Sequence, residues 1–349
     1  MQYIELGFIQ KIKNRIYNLQ PAHFQIARNM AWVALFVFIG KLAGAAKEMA
    51  IAYRFGIGEV VDTYNFVFTI ITWLPTVWQS VIMVILVPLF ARLSEEEKRA
   101  FYAELVGFSL IVGGLLTIMI IVGLPLVAPY VFSNLSEQAA GKAVTLAKGL
   151  APIALINVFA GLIFARLLAE ERHTNTLMEA LPALCILIAV LFWPNISGQQ
   201  DVTPLLYGSL IGFVVYVVCL WLMLTRSGIS SRPRWTMRSP AWRAVWHGIG
   251  YMALGQAIIT FANPIDQVMA ANLGEGAIST LGYANRVLAL LLGLGATAIG
   301  RAVLPVLSEA AAQPKNAWHI AQRWSKLLFL VGFCGVILAW WLAPLGIRL

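Results

Sequence analysis

The sequence predicts an all-α polytopic membrane protein, a bundle of about nine transmembrane helices, on three observations. Apolar residues make up 60% of the chain against 12% charged, and the mean hydropathy is +0.79. Such a composition lies outside the soluble globular range. Apolar segments long enough to cross a bilayer recur along the whole length. Basic residues gather in every second connection between those segments, the asymmetry that fixes orientation in a membrane.

Residues 1–25 interleave Glu5, Lys11, Lys13 and Arg15 with Ile4, Phe8, Ile9, Ile12 and Ile16. This reads as a basic amphipathic segment on the membrane surface. It lacks the apolar run and small-residue cleavage site of a signal peptide, so it is expected to be retained. The spans fall near 29–54, 62–91, 102–131, 145–167, 176–193, 204–225, 245–271, 277–306 and 323–345.

Span one contains the most informative stretch, Gly40-Lys41-Leu42-Ala43-Gly44-Ala45-Ala46-Lys47-Glu48. Charge inside a membrane helix is costly and by default marks function. At 100° per residue Lys41, Gly44 and Glu48 share one face, with Lys47 about 100° away from it. Gly40 and Gly44 would admit a close neighbouring backbone. This helix is expected to line something polar.

Asp62-Thr63-Tyr64-Asn65 opens span two after the turn Phe55-Gly56-Ile57-Gly58-Glu59. Asp62 can serve there as an acid favoured by the helix dipole or as part of a site, and both readings stand. Pro75 and Pro88, with Thr69, Thr72, Gln79 and Ser80, suit a helix that bends beside a cavity. Spans three to six read as scaffold. Glu179 is placed near the cytoplasmic face, where it can stay wet, and Gly208 and Gly212 form a small-residue packing patch. Residues 226–244 are charged and Pro-punctuated, the linker long enough to divide two lobes.

Basic residues cluster before span one and after spans two, four, six and eight. Arg226, Arg232, Arg234, Arg238 and Arg243 fill the connection after span six. The N-terminus is therefore expected in the cytoplasm and the C-terminus outside. These loops, with anionic lipid beside them, account for the net charge of +9. No nucleic-acid partner is expected, because no basic stripe lies on a soluble domain. Cys185, Cys219 and Cys334 lie in apolar spans, and the four histidines lack ligand spacing, so neither metal nor cofactor is expected.

The second lobe repeats the first. Asp266, the turn Asn272-Leu273-Gly274-Glu275-Gly276, Tyr283-Ala284-Asn285-Arg286 and Leu304-Pro305-Val306-Leu307-Ser308 follow the order of Glu48, the Gly56–Glu59 turn, Tyr64-Asn65 and Val87-Pro88-Leu89-Phe90. The offset is roughly 217 residues. Parallel repeats of this kind place a transporter's substrate site between two halves. Lys47, Glu48, Asp266 and Arg286 lie at similar depth and can pair across the lobes, or act only as an ion-paired gate or packing lock. Arg286, with its planar fork, is the best phosphate candidate.

Residues 40–56 and Asp62, with Tyr283-Ala284-Asn285-Arg286 through Leu304-Pro305-Val306-Leu307-Ser308, resemble the MurJ/MviN lipid II flippases. That family shows S-R-x-x-G-x-x-R-D in its first helix and Y-A-D-R…L-P-x-L-S in its eighth. The resemblance implies a two-lobe exporter-type helical bundle around a cationic cavity, working by alternating access in the bacterial inner membrane. It implies a polyprenyl-pyrophosphate-linked sugar as substrate, with Lys41, Lys47 and Arg286 on the family's cavity arginines and Glu48 and Asp62 on its acids; Asn65 and Asp266, read from the repeat, complete the expected substrate-binding set. The family's second lobe carries more spans than the three read here, so an incomplete second lobe is expected, completed by a further C-terminal segment or by self-association. The expected domains are 1–25 at the surface, 26–225 as the first lobe, 226–244 as linker and 245–349 as the partial second lobe.

Lysines stand where the family's first-helix arginines fall, and Pro75–Met83 is uncharged where the family carries cations. Another lipid-linked glycan, such as an exopolysaccharide or O-antigen repeat unit, is the alternative substrate. A multidrug or cation antiporter of the same superfamily would favour an acidic cavity, and a truncated non-transporting membrane partner is the further alternative. No H-E-x-x-H, G-x-S-x-G, P-loop or wet paired-carboxylate motif points to an enzyme.

Overall fold

A computed structural model describes residues 21–131, 137–170, 175–194, 201–229 and 232–285, with a few positions from 322 onward. Its helices, in chain order, are α1 (Pro21–Phe55), α2 (Glu59–Arg92), α3 (Glu95–Val131), α4 (Glu137–Leu150), α5 (Pro152–Ala169), α6 (Asn175–Met178), α7 (Leu181–Phe192), α8 (Thr203–Arg226) and α9 (Ala241–Ala271). Residues 277–285 are also helical, and no strand occurs among the described residues. The chain divides into two compact units, Met1–Arg286 and Val287–Leu349. In the second, Phe329 and Phe333 stack with ring centroids 6.3 Å apart, one helical turn from each other.

Of these helices, four are long and apolar enough to cross a membrane by length and composition: Glu59–Phe90, Glu95–Val127, Pro152–Ala169 and Thr203–Arg226. Leu181–Phe192 is equally apolar but shorter. Two expected spans are not single helices. Span four is jointed at Ala151, where Pro152, lacking an N–H, starts α5. Span five is broken at Glu179–Ala180, with Pro182 in the first turn of α7.

The core forms around α5, which is buried from Asn157 to Leu167 apart from Phe159, and packs against α2, α3 and α8. Its mean composition leaves no polar stripe, as befits a helix surrounded by others. Arg166 is buried at the end of α5. It pairs with Glu170 at 2.8 Å and lies 4.9 Å over the Phe90 ring. Outward, α3 exposes Leu115, Ile118, Val122 and Leu126, a face suited to lipid tails.

Close helix approach falls at glycines, but not at those of α1. A Cβ on Gly212 would sit 2.8 Å from Pro182 Cα, and one on Gly208 2.8 Å from Ala189 Cβ, so α7 and α8 touch backbone to backbone there. Gly40 and Gly44, expected to admit a close backbone, have their nearest such neighbour 3.9 Å away or none within 4 Å. The expected α8 patch is the packing seam. The α1 pair is not.

Residues 232–240 lie strapped along the start of α3. The Arg234 N–H donates to the Ala103 carbonyl at 2.8 Å. The Glu104 carboxylate accepts from the Thr236 hydroxyl (3.0 Å), the Arg238 and Ser239 N–H groups (3.2 Å each) and Trp242 Nε1 (2.7 Å). A Cβ on Gly107 would collide with the Arg234 carbonyl. The Trp242 ring stands edge-on to Phe101 and Phe108. From this strap α9 sets out and packs along α2.

Candidate functional site

Two polar clusters stand out in an otherwise apolar bundle. The first joins the turns of the two repeats. Gly56 (φ 67°) ends α1, and Gly274 (φ 106°) holds the same place after α9. Both occupy the left-handed region that glycine enters at little cost. Gly58 begins α2 with no side-chain cap of its own. The Glu275 carboxylate, from the second turn, accepts the Glu59 N–H at 3.3 Å.

The reciprocal contact is tighter. Asp62 is fully buried, its Oδ2 accepting the Gly276 N–H and its Oδ1 the Ser279 N–H, both at 2.7 Å. Each repeat therefore caps the helix that opens the other. Orphan N–H donors at helix starts and the positive end of the helix dipole make a carboxylate favourable there. Tyr283 adds a hydroxyl donated to the Gly56 carbonyl at 3.1 Å. Gly276 (φ 84°) sits in the left-handed region, where a side chain would be strained and its Cβ would push aside Ile57 Cγ2, 2.5 Å away. Asn65 is half-buried on the same side, its Nδ2 3.5 Å from the position of a Cβ on Gly282.

The second cluster is a cavity of about 260 Å³ between α1, α2, α5, α7 and α8. Lys47 and Gly44 reach it from α1, Gln79 from α2, Asn157 from α5, Tyr216 from α8, and Glu179 from the break in span five. Lys47 and Glu48 are buried and paired at 2.8 Å, and the Lys47 ammonium lies 5.9 Å from the Phe68 ring centre. Arg54, near the end of α1, donates to the carbonyls of Val190 and, at 2.9 Å, Trp193, closing the end of α7.

Lys47 has a carboxylate partner in its own sequence neighbour Glu48, and Asp266 is exposed on α9. Lys41 is half-buried near the middle of α1. Arg286 lies outside the described residues. Glu104, Arg54, Glu275 and Glu179 were not singled out as site residues. A lone acid or Arg at the end of an apolar run is the only signal the sequence carried for them. Among the described residues no group of three or more His, Cys, Asp or Glu is placed to hold a metal ion.

Long apolar helices, buried charge within them and two turn-and-helix repeats that cap each other define a polytopic helical membrane bundle of the exporter-type fold. Solved structures share the fold. A lipid II flippase MurJ in an inward closed conformation matches with a TM-score of 0.67 at 19% identity, over 82% of this chain and 60% of that one. An outward-facing multidrug resistance MATE transporter of the MOP superfamily matches with 0.61 at 17% identity, over 91% and 72%. The family profile described as lipid II flippase MurJ matches residues 51–349, and the chain belongs to that family.

Among curated relatives, a probable lipid II flippase MurJ from Rhizobium meliloti (strain 1021) is 28% identical over 80% of this chain and 56% of its own length. The lipid II flippase MurJ of Burkholderia cenocepacia is 23% identical over 81% and 57%. The chain thus spans little more than half the length of these relatives.

Proposed function

We infer that this chain takes part in moving a lipid-linked sugar precursor, lipid II or a glycan like it, across the bacterial inner membrane by alternating access. The observation that carries this reading is the reciprocal capping of the two repeats by Asp62 and Glu275. Alternating access requires a contact between repeats that is specific yet can be released. Two turns holding each other's helix starts through four directed hydrogen bonds have that property.

In this reading the N-terminus is cytoplasmic and the capped turns lie at the outer end, so the contact closes the outer side. Residues 26–225 and 245–349 act as the two lobes, joined by 226–244. The pyrophosphate is drawn by Lys41, Lys47 and Arg286, and the lipid tail stays in the bilayer. Glu48 keeps Lys47 neutralised until an anion competes for it, as its 2.8 Å pair suggests.

The test is expression of this chain in cells depleted of their flippase, with leaflet-resolved measurement of the lipid-linked precursor. Outer-leaflet precursor should recover with the wild-type chain and fall with Arg286→Ala or Lys47→Ala at equal membrane abundance. Equal recovery by both variants overturns the role of these cations. No recovery by an abundant wild-type chain overturns the transport reading for this chain alone.

A further inference from the structure

We propose that Glu179 is a proton-binding site inside the first unit, whose charge state decides where the Lys47 ammonium rests. Four observations place it there. Span five breaks where Glu179 stands, between the end of α6 at Met178 and the start of α7 at Leu181. Interrupted membrane helices are where transporters place ion-handling groups, because broken backbone is tolerated only beside protein or a wet cavity.

The break lies beside α1. A Cβ on Gly40, near the middle of α1, would lie 3.9 Å from Ala180 Cβ. This carboxylate stays accessible to solvent, as the sequence had suggested, but at a break beside α1. It lines the 260 Å³ cavity together with Lys47, Gln79, Asn157 and Tyr216, polar groups delivered by four other helices. Among the described residues Glu179 makes no hydrogen bond or ion pair, although it is accessible to solvent.

Charge bookkeeping selects the ligand. Lys47 and Glu48 form an ion pair, so an ionised Glu179 adds a second carboxylate to the cavity, which is costly unless neutralised. One monovalent cation restores balance. A dehydrated alkali ion needs a close cage of oxygens, whereas this cavity has room for several waters at about 30 Å³ each. A proton needs only the one carboxylate. The titratable groups facing Glu179 are Lys47, with Glu48 behind it on α1, and Tyr216 on α8; α2 and α5 contribute the neutral amides of Gln79 and Asn157.

The consequence is a two-position ammonium. With Glu179 protonated, Lys47 rests on Glu48 as observed. With Glu179 ionised, a second carboxylate on the same cavity competes for Lys47 and draws α1 toward the α6–α7 break. The site goes beyond the transport reading and is tested without it.

The experiment is pH-difference infrared spectroscopy of the purified full chain in lipid nanodiscs, following the carboxylic-acid carbonyl band. The wild-type chain should show a titrating band that is absent from Glu179→Gln and present in Glu48→Gln. Glu179→Asp, which keeps the carboxyl, should retain a band with a displaced midpoint. Unchanged spectra in Glu179→Gln, or in Glu179→Asp should the amide variant misfold, overturn the proposal. A wild-type band that responds to sodium at fixed pH as strongly as to protons also overturns it, in favour of a metal-cation site. Failure here leaves precursor transport untouched, and failure of transport leaves this titration untouched.

Discussion

Removing the Asp62 carboxylate should uncap the second repeat and leave two buried donors, the N–H groups of Gly276 and Ser279, without acceptors. Both bonds are 2.7 Å long and fully buried, in the range of charge-assisted contacts. A hydrogen bond to a charged group contributes about 1.5–3 kcal/mol net, so Asp62→Ala should cost about 3–6 kcal/mol of the capped arrangement. Water entering at the turn would hold the loss near the lower figure. About 3 kcal/mol is about a 150-fold change in the open population.

Hydrogen–deuterium exchange of a peptide spanning residues 274–283 reads these amides directly. Exchange at Gly276 and Ser279 should quicken by about two orders of magnitude in Asp62→Ala. Asp62→Asn keeps one acceptor oxygen and should lose about half of the protection, on the order of 1.5–3 kcal/mol. Glu275→Ala, which removes a longer and exposed contact of 3.3 Å, should change the Glu59 amide by less than about 1 kcal/mol. Unaltered protection in Asp62→Ala would show that the cap contributes nothing and refute the reasoning.

Glu104→Ala should free the 232–240 strap, at a cost on the order of 3 kcal/mol, because one carboxylate gathers four donors. Trypsin should then cut faster after Arg234 and Arg238; an unchanged cleavage rate would count against the anchor. Gly212→Val should force α7 from α8, lowering stability by about 2 kcal/mol or more, since the obstructing atom is Pro182 backbone. Gly255→Ala, with nothing within 4 Å, should match or slightly exceed wild type in thermal melting, so equal losses in the two variants would contradict the packing seam. Arg286→Lys should retain part of the precursor transport lost in Arg286→Ala, because the ammonium keeps charge without the bidentate fork. Full activity in Arg286→Ala would exclude the phosphate role.

Sequence alone determined the class. Hydropathy and span length are local quantities, and a chain this apolar can satisfy its backbone in a bilayer only as helices or a closed barrel. The repeat was legible too, because Gly56 and Gly274 must both turn at positive φ and each is followed by an acid near a helix start. Small residues at Gly208 and Gly212 pointed to the real α7–α8 seam.

Partner choice was not legible, because it depends on which helix ends packing brings together. Asp62 offered its own helix dipole as an equally good destination. The fold carried its carboxylate instead to Gly276 and Ser279, more than two hundred residues away. Nothing in the sequence said that Lys47 would pair with the neighbouring Glu48, or that Asp266 would stand exposed on α9. Glu179 looked like a plain wet residue at a helix start, and only the break in span five and four converging helices set it on the rim of a polar cavity. Glu104 was one more acid at the edge of an apolar run, and only the strap folding back along α3 supplied its four donors. Periodicity tells which residues leave water, whereas tertiary packing decides which of them meet.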